Sequence, residues 1–399
     1  MKRRRRQGQG IRNESVTLGP TCRIKKRTVA GDRKERQPKL SLRVGVIGVG
    51  WGALVQVPAL RASAGFEPVA LCARTPERLG PISERLAISD TSTDWRTFVE
   101  RDDLDVVSIA TPTALHHDIA VAAFAAGKAV LCEKPLSGDV ETARNMVAAA
   151  RNASRPSAVC FENRWNADWL AVADKVRSGS LGKVYVARVS RSAAYWHPSR
   201  PAQARWMYDR AEGGGYLAGM LVHDLDFITS ILGRPVAVCA DVRASEPTRR
   251  LADNDVIDIT ADDTAAVLLR LESGALAILS VSVVGLHTDH YRLEIFGADG
   301  TVVGDGALRS TSFSFGGAAD SGLSELPISD RRPAHADQLP SGLAGHAARA
   351  MSLMLDDWLP AFEGGASSAP SFNDGLVSLA IIDAAQRSNA GEGWVDIVL

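Results

Sequence analysis

Residues 43–60 read RVGVIGVGWGALVQVPAL, and this stretch decides the fold. The run 44–47 is apolar and β-branched, so it predicts a short buried strand. Residues 53–60 favour a helix, and the glycine-rich segment 48–52 between them predicts a tight strand-to-helix turn. This order is typical of the first unit of a dinucleotide-binding α/β domain.

The glycine turn has the spacing G-x-G-x-x-(G/A) of a dinucleotide fingerprint. Its first glycine permits the tight turn, its second lets the backbone approach a pyrophosphate, and the small third residue allows close packing of helix on strand. The N-terminus of the following helix favours the phosphate charge. The predicted cofactor-binding residues of the turn are Gly48, Gly50, Trp51, Gly52 and Ala53.

The end of the second predicted strand, 67–73, bears on the choice of cofactor. An NAD site usually carries an acid there to accept a hydrogen bond from the ribose 2′-hydroxyl. This chain has Arg74 and Thr75 instead, and Arg78 lies one turn into the next predicted helix. A guanidinium and a hydroxyl suit a 2′-phosphate, so the sequence favours NADP over NAD. The alternative is that Arg74 is a solvated surface charge.

Two further buried strands are predicted at 105–110 and 129–132, with an apolar-periodic helix at 114–126 between them. Strands that alternate with helices in this way predict a parallel, doubly wound sheet. Ligands bind at the carboxyl ends of such strands. Lys134 lies at one of these ends, so we expect it to be functional and not a solvated surface charge.

The pattern changes from residue 184 onward. Antiparallel strands are predicted at 184–190, 236–244, 264–271, 275–283 and 291–296, helices at 215–232, 345–362 and 372–388, and a last strand at 394–399. The segment 195–209 is a long aromatic and basic loop of the kind that often forms a substrate wall. Residues 310–340 are rich in Ser, Gly, Ala and Pro and are expected to form an exposed loop.

Charge is unevenly distributed along the chain. Residues 1–43 contain 15 of its 46 basic and 3 of its 46 acidic side chains, so residues 44–399 have a net charge of −12. The head, residues 1–42, is interpreted as a disordered basic extension. A twin-arginine export signal is not favoured because no apolar segment follows the arginines. A nucleic-acid arm, a solvated tail and upstream sequence from a misplaced start codon stay open, and nucleic acid is not the expected partner.

The rest of the composition is that of a globular protein with a sizeable core. No apolar run reaches the ~18–20 residues that span a bilayer. The five cysteines are scattered and lack C-x-x-C spacing, which predicts buried thiols in a cytoplasmic protein and no metal site.

Several motifs in this order resemble the glucose–fructose oxidoreductase/inositol dehydrogenase/rhizopine catabolism (Gfo/Idh/MocA) family. The resemblance covers almost everything from residue 43 onward, and its motifs are VGVIGVGWGA, DVVSIATP, AGKAVLCEKPL, FENRW, LGKV, GGGYLAGMLVHDLD and SFNDGLVSLAIIDAA. It implies a Rossmann domain at 43–160 and an α+β domain at 161–399 with an open, mostly antiparallel sheet. The last helix is expected to pack back on the Rossmann domain.

The resemblance also implies site residues. Lys134 matches the family lysine that contacts the reacting oxygen, and His223 matches its acid/base histidine. The other expected cofactor-binding residues are Thr111, Pro112, His116, Glu133 and Arg164, besides Arg74, Thr75 and Lys134. The expected substrate residues are Tyr195, His197, Trp206, Tyr208 and His223. In one departure, Gly219 replaces the aspartate that the family commonly has four residues before the histidine.

The predicted function is NAD(P)-dependent hydride transfer between a nicotinamide and a carbinol or carbonyl carbon of a sugar, cyclitol or related polyol. The resemblance implies a homo-oligomer, a dimer or tetramer, that assembles through the C-terminal sheet. The alternative is a non-catalytic NADP-binding regulator of the same fold, which the missing carboxylate at position 219 suggests. Retention of both Lys134 and His223 favours the enzyme.

Overall fold

The computed structural model describes residues 41–252, 254–307 and 310–399. The head predicted for residues 1–42 therefore lies outside the described residues, apart from its last two. Of these two, Leu42 begins the first strand, one residue before the predicted start of the Rossmann domain.

Strands and helices alternate in the first part of the chain, and long strands dominate the second. The strands are β1 (Leu42–Ile47), β2 (Phe66–Cys72), β3 (Thr91–Ser92), β4 (Val106–Ile109), β5 (Ala129–Cys132), β6 (Ser157–Val159), β7 (Val184–Ala193), β8 (Pro235–Arg243), β9 (Thr248–Arg250), β10 (Val256–Asp258), β11 (Thr264–Leu271), β12 (Leu276–Ser282), β13 (Asp289–Gly297), β14 (Gly300–Ala307), β15 (Ser310–Gly317), β16 (Ser324–Glu325) and β17 (Val395–Asp396). The α-helices are α1 (Val57–Ala62), α2 (Pro76–Leu86), α3 (Trp95–Val99), α4 (His116–Ala125), α5 (Val140–Ala153), α6 (Ala167–Arg177), α7 (Val222–Leu232), α8 (Gly342–Trp358) and α9 (Phe372–Arg387). Short 3₁₀ segments include Glu162–Trp165 and Arg205–Tyr208, and π-helical segments precede α1 at Gly52–Gln56 and α7 at Leu217–Leu221.

The first sheet has the strand order β3-β2-β1-β4-β5-β6, and its pairings are parallel. The order reverses at β1, where a doubly wound sheet opens a crevice at the carboxyl ends of its strands. The predicted parallel, doubly wound sheet is confirmed. The segments that follow β1, β2, β4 and β5 therefore meet at one edge.

The second sheet has the order β16-β15-β14-β13-β7-β12-β11-β8-β17. Neighbouring strands pair antiparallel, except β7 and β12, which run parallel at the centre of the sheet. The prediction of a mostly antiparallel sheet is confirmed. Strand β7 alternates between buried residues such as Val189 and exposed residues such as Arg188. One face of the sheet therefore packs against helices and the other faces outward.

The prediction of an exposed loop at 310–340 is wrong at its start, because β15 pairs with β14 along its whole length. Strand β14 itself was not predicted. At Gly304, a Cβ atom would lie 2.2 Å from the ring of Phe313 on the neighbouring strand. Gly304 of β14 is therefore required by an aromatic ring of β15 that lies against its backbone.

Helix α9 packs against α5, which lies between β5 and β6 in the chain, and against β8 of the second sheet. The amide of Val159 in β6 donates a hydrogen bond of 2.8 Å to the carbonyl of Pro370, just before α9. At Gly375 a Cβ atom would lie about 3 Å from atoms of Leu136 and Val159. The predicted domain boundaries stay a prediction.

Among the described residues, no helix has the length and apolar character needed to cross a bilayer. The same residues contain no cluster of three or more His, Cys, Asp or Glu side chains that could hold a metal ion. The cysteines in the described ranges, Cys72, Cys132, Cys160 and Cys239, are free thiols.

Candidate active site

A cavity of about 960 Å³ opens at the carboxyl edge of the first sheet and extends to α7 and the second sheet. Its wall combines the glycine turn after β1 with the segments after β2, β4, β5 and β6. The predicted site residues that line it are Gly48, Gly50, Trp51, Arg74, Thr75, Thr111, Pro112, Glu133, Lys134, Tyr195, Trp206 and His223.

The glycine turn has the geometry that a dinucleotide pyrophosphate requires. Gly48 has φ +106°, and a Cβ atom there would lie 2.3 Å from the carbonyl oxygen of Ala110, so no other residue fits without strain. At Gly50 nothing lies within 4 Å of an added Cβ, which leaves the backbone open to the cavity. The helix that starts at Trp51 presents the free amides of its first turn, which suit a phosphate.

The cavity extends past the end of β2 to Arg74, Thr75 and Arg78. Both arginines are exposed, and neither forms a hydrogen bond or an ion pair through its guanidinium with the rest of the described chain. No carboxylate follows β2 to accept from a ribose hydroxyl. This end of the cavity is therefore positive.

A buried hydrogen-bonded chain orients Glu133, the residue before Lys134. The hydroxyl of Ser108 donates to Oε1 of Gln56 at 2.7 Å, and Nε2 of Gln56 donates to Oε1 of Glu133 at 2.9 Å. Burial raises the pKa of Glu133, while Lys134 and Gln56 oppose that shift. Gln56 was not predicted as a site residue, because it follows the glycine motif and meets Ser108 and Glu133 only in the folded chain.

Lys134 is held by the main chain of the segment that precedes α7. Its Nζ donates a hydrogen bond of 2.6 Å to the carbonyl oxygen of Gly219. The predicted helix at 215–232 is π-helical over Leu217–Leu221 and becomes α-helical from Val222. A Cβ atom at Gly219 would meet nothing within 4 Å, so the space of the family aspartate is open here and adjoins the lysine.

His223 lies at the start of α7 and is buried against the ring of Phe161, with ring centroids 6.0 Å apart. Its Nδ1 atom has no hydrogen-bond partner in the described part of the chain. Burial, then the charges of Lys134 and Arg191, hold its pKa well below the usual value of 6.5. The imidazole is therefore neutral at neutral pH and is available to exchange a proton.

Arg191 of β7 also lines the cavity, and sequence reasoning missed it. Its guanidinium is bidentate to the buried carboxylate of Asp224, and the hydroxyl of Tyr291 donates to the same carboxylate at 3.2 Å. Burial raises the pKa of Asp224, while Arg191 and Tyr291 oppose the shift. This cluster fixes the residue next to His223, and only the tertiary fold brings its members together.

Some predicted site residues support the cavity from behind its wall. His116 is buried, and its ring bridges the carbonyl oxygens of Thr111 at 3.0 Å and Pro135 at 3.1 Å. Arg164 forms ion pairs with Asp226 and, at 2.8 Å, with Asp374. These two residues join the segments that carry the lining residues.

Two predicted substrate residues also lie outside the lining. Tyr208 is fully buried against Trp196, and its hydroxyl accepts a hydrogen bond of 2.8 Å from the amide of Gln203. His197 is hydrogen-bonded to Ser199 at 2.8 Å on the outer side of the same loop. The aromatic loop reaches the cavity through Tyr195, Trp196 and Trp206 instead.

Comparison with known proteins agrees with this geometry. Residues 42–161 match the model of the oxidoreductase family with an NAD-binding Rossmann fold, and residues 169–303 match the Gfo/Idh/MocA C-terminal domain. The chain is 28% identical to inositol 2-dehydrogenase of Rhizobium meliloti over 90% of its own length and 100% of that protein's. It is 26% identical to levoglucosan dehydrogenase of Pseudarthrobacter phenanthrenivorans over 90% of this chain and 98% of that one.

Solved structures give the same result. A levoglucosan dehydrogenase in complex with NADH and levoglucosan superimposes with a TM-score of 0.78 at 26% identity, covering 90% of this chain and 99% of that chain. These relatives are dehydrogenases, which supports the predicted enzyme and not the non-catalytic regulator. Two family models over both halves, the glycine turn and the cavity lead to one conclusion: the chain belongs to the Gfo/Idh/MocA family and is an NAD-binding oxidoreductase.

Proposed function

We propose that the enzyme interconverts a secondary alcohol and a ketone on a sugar, cyclitol or related polyol. The observation that carries the proposal is the placement of Lys134 and His223 in one cavity with the glycine turn. The named relatives add support, because they include dehydrogenases of inositol, levoglucosan and D-apiose. An aromatic wall with a few polar groups suits a polyol ring.

The nicotinamide, when bound, accepts or gives the hydride, and the glycine turn with Thr111, Pro112 and Glu133 would hold the cofactor. The protein must stabilise charge on the substrate oxygen and move one proton. The Lys134 ammonium stabilises negative charge that develops on that oxygen. His223 is neutral, so it can take the hydroxyl proton during oxidation and return it during reduction.

We infer a preference for NADP over NAD at the adenosine end of the cavity. Arg74, Thr75 and Arg78 line it, and no acid follows β2 to select the ribose 2′-hydroxyl. Exposed guanidinium groups without an ion pair can bind a 2′-phosphate bidentately. A related levoglucosan dehydrogenase was solved in complex with NADH, so the cofactor preference has to be measured on this chain itself.

We also propose that the enzyme forms a homo-oligomer, a dimer or a tetramer, through the outer face of the second sheet. Leu268 and Ile278 pair across β11 and β12 on that face, and Leu268 is 36% exposed. Ser190 and Ser280 pair on the same face and are small, and exposed Arg188 lies beside Ile278. A cytoplasmic location stays a prediction that the free thiols support.

The function is tested with purified enzyme and a panel of inositols, anhydro-sugars and aldoses, each with NAD⁺ or NADP⁺, followed by absorbance of the reduced cofactor. We expect turnover of at least one cyclic polyol and none of short-chain alcohols. Binding of reduced cofactor without turnover of any cyclic polyol or its keto form would contradict the proposal.

A further inference from the structure

The connection between β8 and β11 contains a buried arginine that the mechanism above does not use. This connection folds into the hairpin of β9 and β10, and Arg249 of β9 is 6% exposed. A buried guanidinium is costly unless hydrogen bonds satisfy it. Arg249 finds its acceptors in the main chain, so the structure shows which segment this charge holds in place.

The acceptors are three carbonyl oxygens of the aromatic loop. Nη1 of Arg249 donates to the carbonyl oxygens of Trp196 and His197, both at 3.1 Å, and Nη2 donates to the carbonyl oxygen of Arg200. A planar guanidinium presents its donors in a rigid fork, whereas the ammonium of a lysine is a compact point charge. Arg249 therefore fixes the course of this part of the loop.

The far end of the loop is held by a different set of hydrogen bonds from the same connection. The amides of Thr260 and Ala261 donate to the carbonyl oxygen of Tyr208 at 3.0 and 3.1 Å. The carboxylate of Asp262 accepts two amides at the start of the π-helical segment that carries Gly219. Because these anchors do not involve residue 249, a change there releases only the near end of the loop.

The near end of the loop, which Arg249 holds, forms part of the cavity wall. Tyr195 and Trp196 both line the cavity, and Trp196 supplies one of the three bonded carbonyls. Tyr195 also stacks on Tyr216, another lining residue, with ring centroids 6.3 Å apart. Aromatic rings in a pocket wall suit the apolar faces of a polyol ring.

We propose that Arg249 is a positioning residue for substrate binding, which places Tyr195 and Trp196 against the polyol ring. The inference rests on the proposed function. Lys134 is bonded to the segment before α7, and His223 lies on α7 itself, so neither is held by Arg249. Arg249 therefore acts on the affinity for the substrate, while the chemical step and the glycine turn that holds the cofactor are independent of it.

The first test is steady-state kinetics of Arg249→Met with the best cyclic polyol. Arg250→Met is the matched control, because Arg250 is the next residue of β9, is exposed and donates within the hairpin to the carbonyl oxygen of Asn254 at 3.3 Å. Arg249→Met should raise KM for the polyol by about 10–100-fold, since a small misplacement of a binding group has effects of this size. The kcat value and the Kd of the reduced cofactor should change by less than about threefold. A wild-type KM, or an equal loss of cofactor affinity, would overturn the inference while the proposed function stands.

A double-mutant cycle separates positioning from a general loss of stability. Tyr195→Ala removes a ring that Arg249 places, so Arg249→Met should raise KM much less in the Tyr195→Ala background than in the wild type. Residues that act through one another are not additive, whereas independent residues are. Fully additive effects on KM would show that Arg249 does not act through the aromatic wall.

The last measurement needs no turnover. Amide hydrogen exchange, followed by mass spectrometry, compares the wild type with Arg249→Met and with Arg249→Lys, which keeps the charge in case the methionine variant does not fold. Exchange should be faster over residues 195–203 and unchanged over the glycine turn. Unchanged exchange over 195–203 in a folded variant would overturn the inference. Faster exchange there, without turnover of any cyclic polyol, would instead refute the proposed function and leave the anchoring role of Arg249 intact.

Discussion

The ammonium of Lys134 is bonded to the main-chain carbonyl of Gly219, with 2.6 Å between Nζ and O. The lysine is therefore positioned by backbone, and its place does not depend on a side chain at position 219. This explains how the site keeps its electrostatic group although the family aspartate is missing. The space beside Gly219 stays open, since nothing lies within 4 Å of an added Cβ there.

Lys134→Met and His223→Ala should both abolish most hydride transfer. Loss of the proton carrier typically costs about 10²–10⁴ in rate, and loss of the charge at the developing alkoxide should be at least as severe. Steady-state kinetics with the best polyol measures both, with Lys183→Met on the surface as the control. A His223→Ala enzyme with the wild-type rate would remove His223 from the mechanism.

The same histidine predicts the acid side of the pH profile. Burial, Lys134 and Arg191 lower its pKa, so the neutral form persists well below pH 6.5, and oxidation should fail only at lower pH. Gly219→Asp would place a carboxylate nearby, favour the imidazolium and move the acid limb to higher pH. The comparison uses kcat for oxidation between pH 4.5 and 8; an unmoved limb would show that the two side chains do not meet.

Arg74→Ala should weaken NADP binding by about 1.5–3 kcal/mol, the range for a hydrogen bond to a charged group, and leave NAD binding nearly unchanged. Protein fluorescence quenching by the two cofactors gives both affinities. Arg85→Ala, an exposed arginine later in α2, is the matched control. Equal losses for NADP and NAD would exclude contact between Arg74 and a 2′-phosphate.

Gly215→Ala should destabilise the fold, whereas Gly219→Ala should not. Gly215 has φ +109°, and an added Cβ would lie 2.3 Å from Oδ1 of Asp262, whose carboxylate accepts the amides of Tyr216 and Leu217. We expect a loss of about 1–3 kcal/mol at position 215 and less than about 1 kcal/mol at position 219. Urea denaturation measures both, and similar losses would contradict the predicted contrast.

Arg164→Met should destabilise the protein by about 3–5 kcal/mol, because it leaves the buried carboxylate of Asp226 without its partner. Arg292→Met provides the control, since its pairs with Glu294 and Asp305 lie at the surface and should contribute little to stability. Denaturant unfolding followed by tryptophan fluorescence compares the two. Equal, small losses of stability in both variants would contradict a structural role for the Arg164–Asp226 ion pair.

Much of the fold could be predicted because its strongest patterns are local. The run 44–47, the glycine turn and β5 are each readable from a few consecutive residues, and they imply the parallel sheet. Strands β14 and β15 could not be predicted in this way. Gly304 of β14 is needed because the ring of Phe313 in β15 lies against it. This contact between strands cannot be seen in the hydrophobic periodicity of either strand.

The site was predictable where a motif carries it and unpredictable where tertiary contacts do. Lys134 and His223 follow from motifs, and the structure places both in the cavity. Gln56 and Arg191 lie outside the motifs, and only tertiary packing places Gln56 beside Glu133 and Arg191 in the cavity wall. Tyr208 and His197 both belong to the predicted substrate loop, yet neither lines the cavity. Tyr208 is buried in the core with its hydroxyl bonded to the amide of Gln203, and His197 is hydrogen-bonded to Ser199 in a local turn. Side-chain direction within an irregular loop is not encoded in its composition.

The hydrogen bond from Val159 to Pro370, with the Arg164–Asp374 pair, joins the site to a segment synthesised near the end of translation. A nascent chain that has emerged only as far as β16 has made the glycine turn, Lys134 and His223, but Val159 of β6 still lacks Pro370 and Arg164 still lacks Asp374. The cofactor cleft is therefore completed late, and partial chains should expose unfinished apolar surface to chaperones. A premature stop after residue 360 should remove function and folding together.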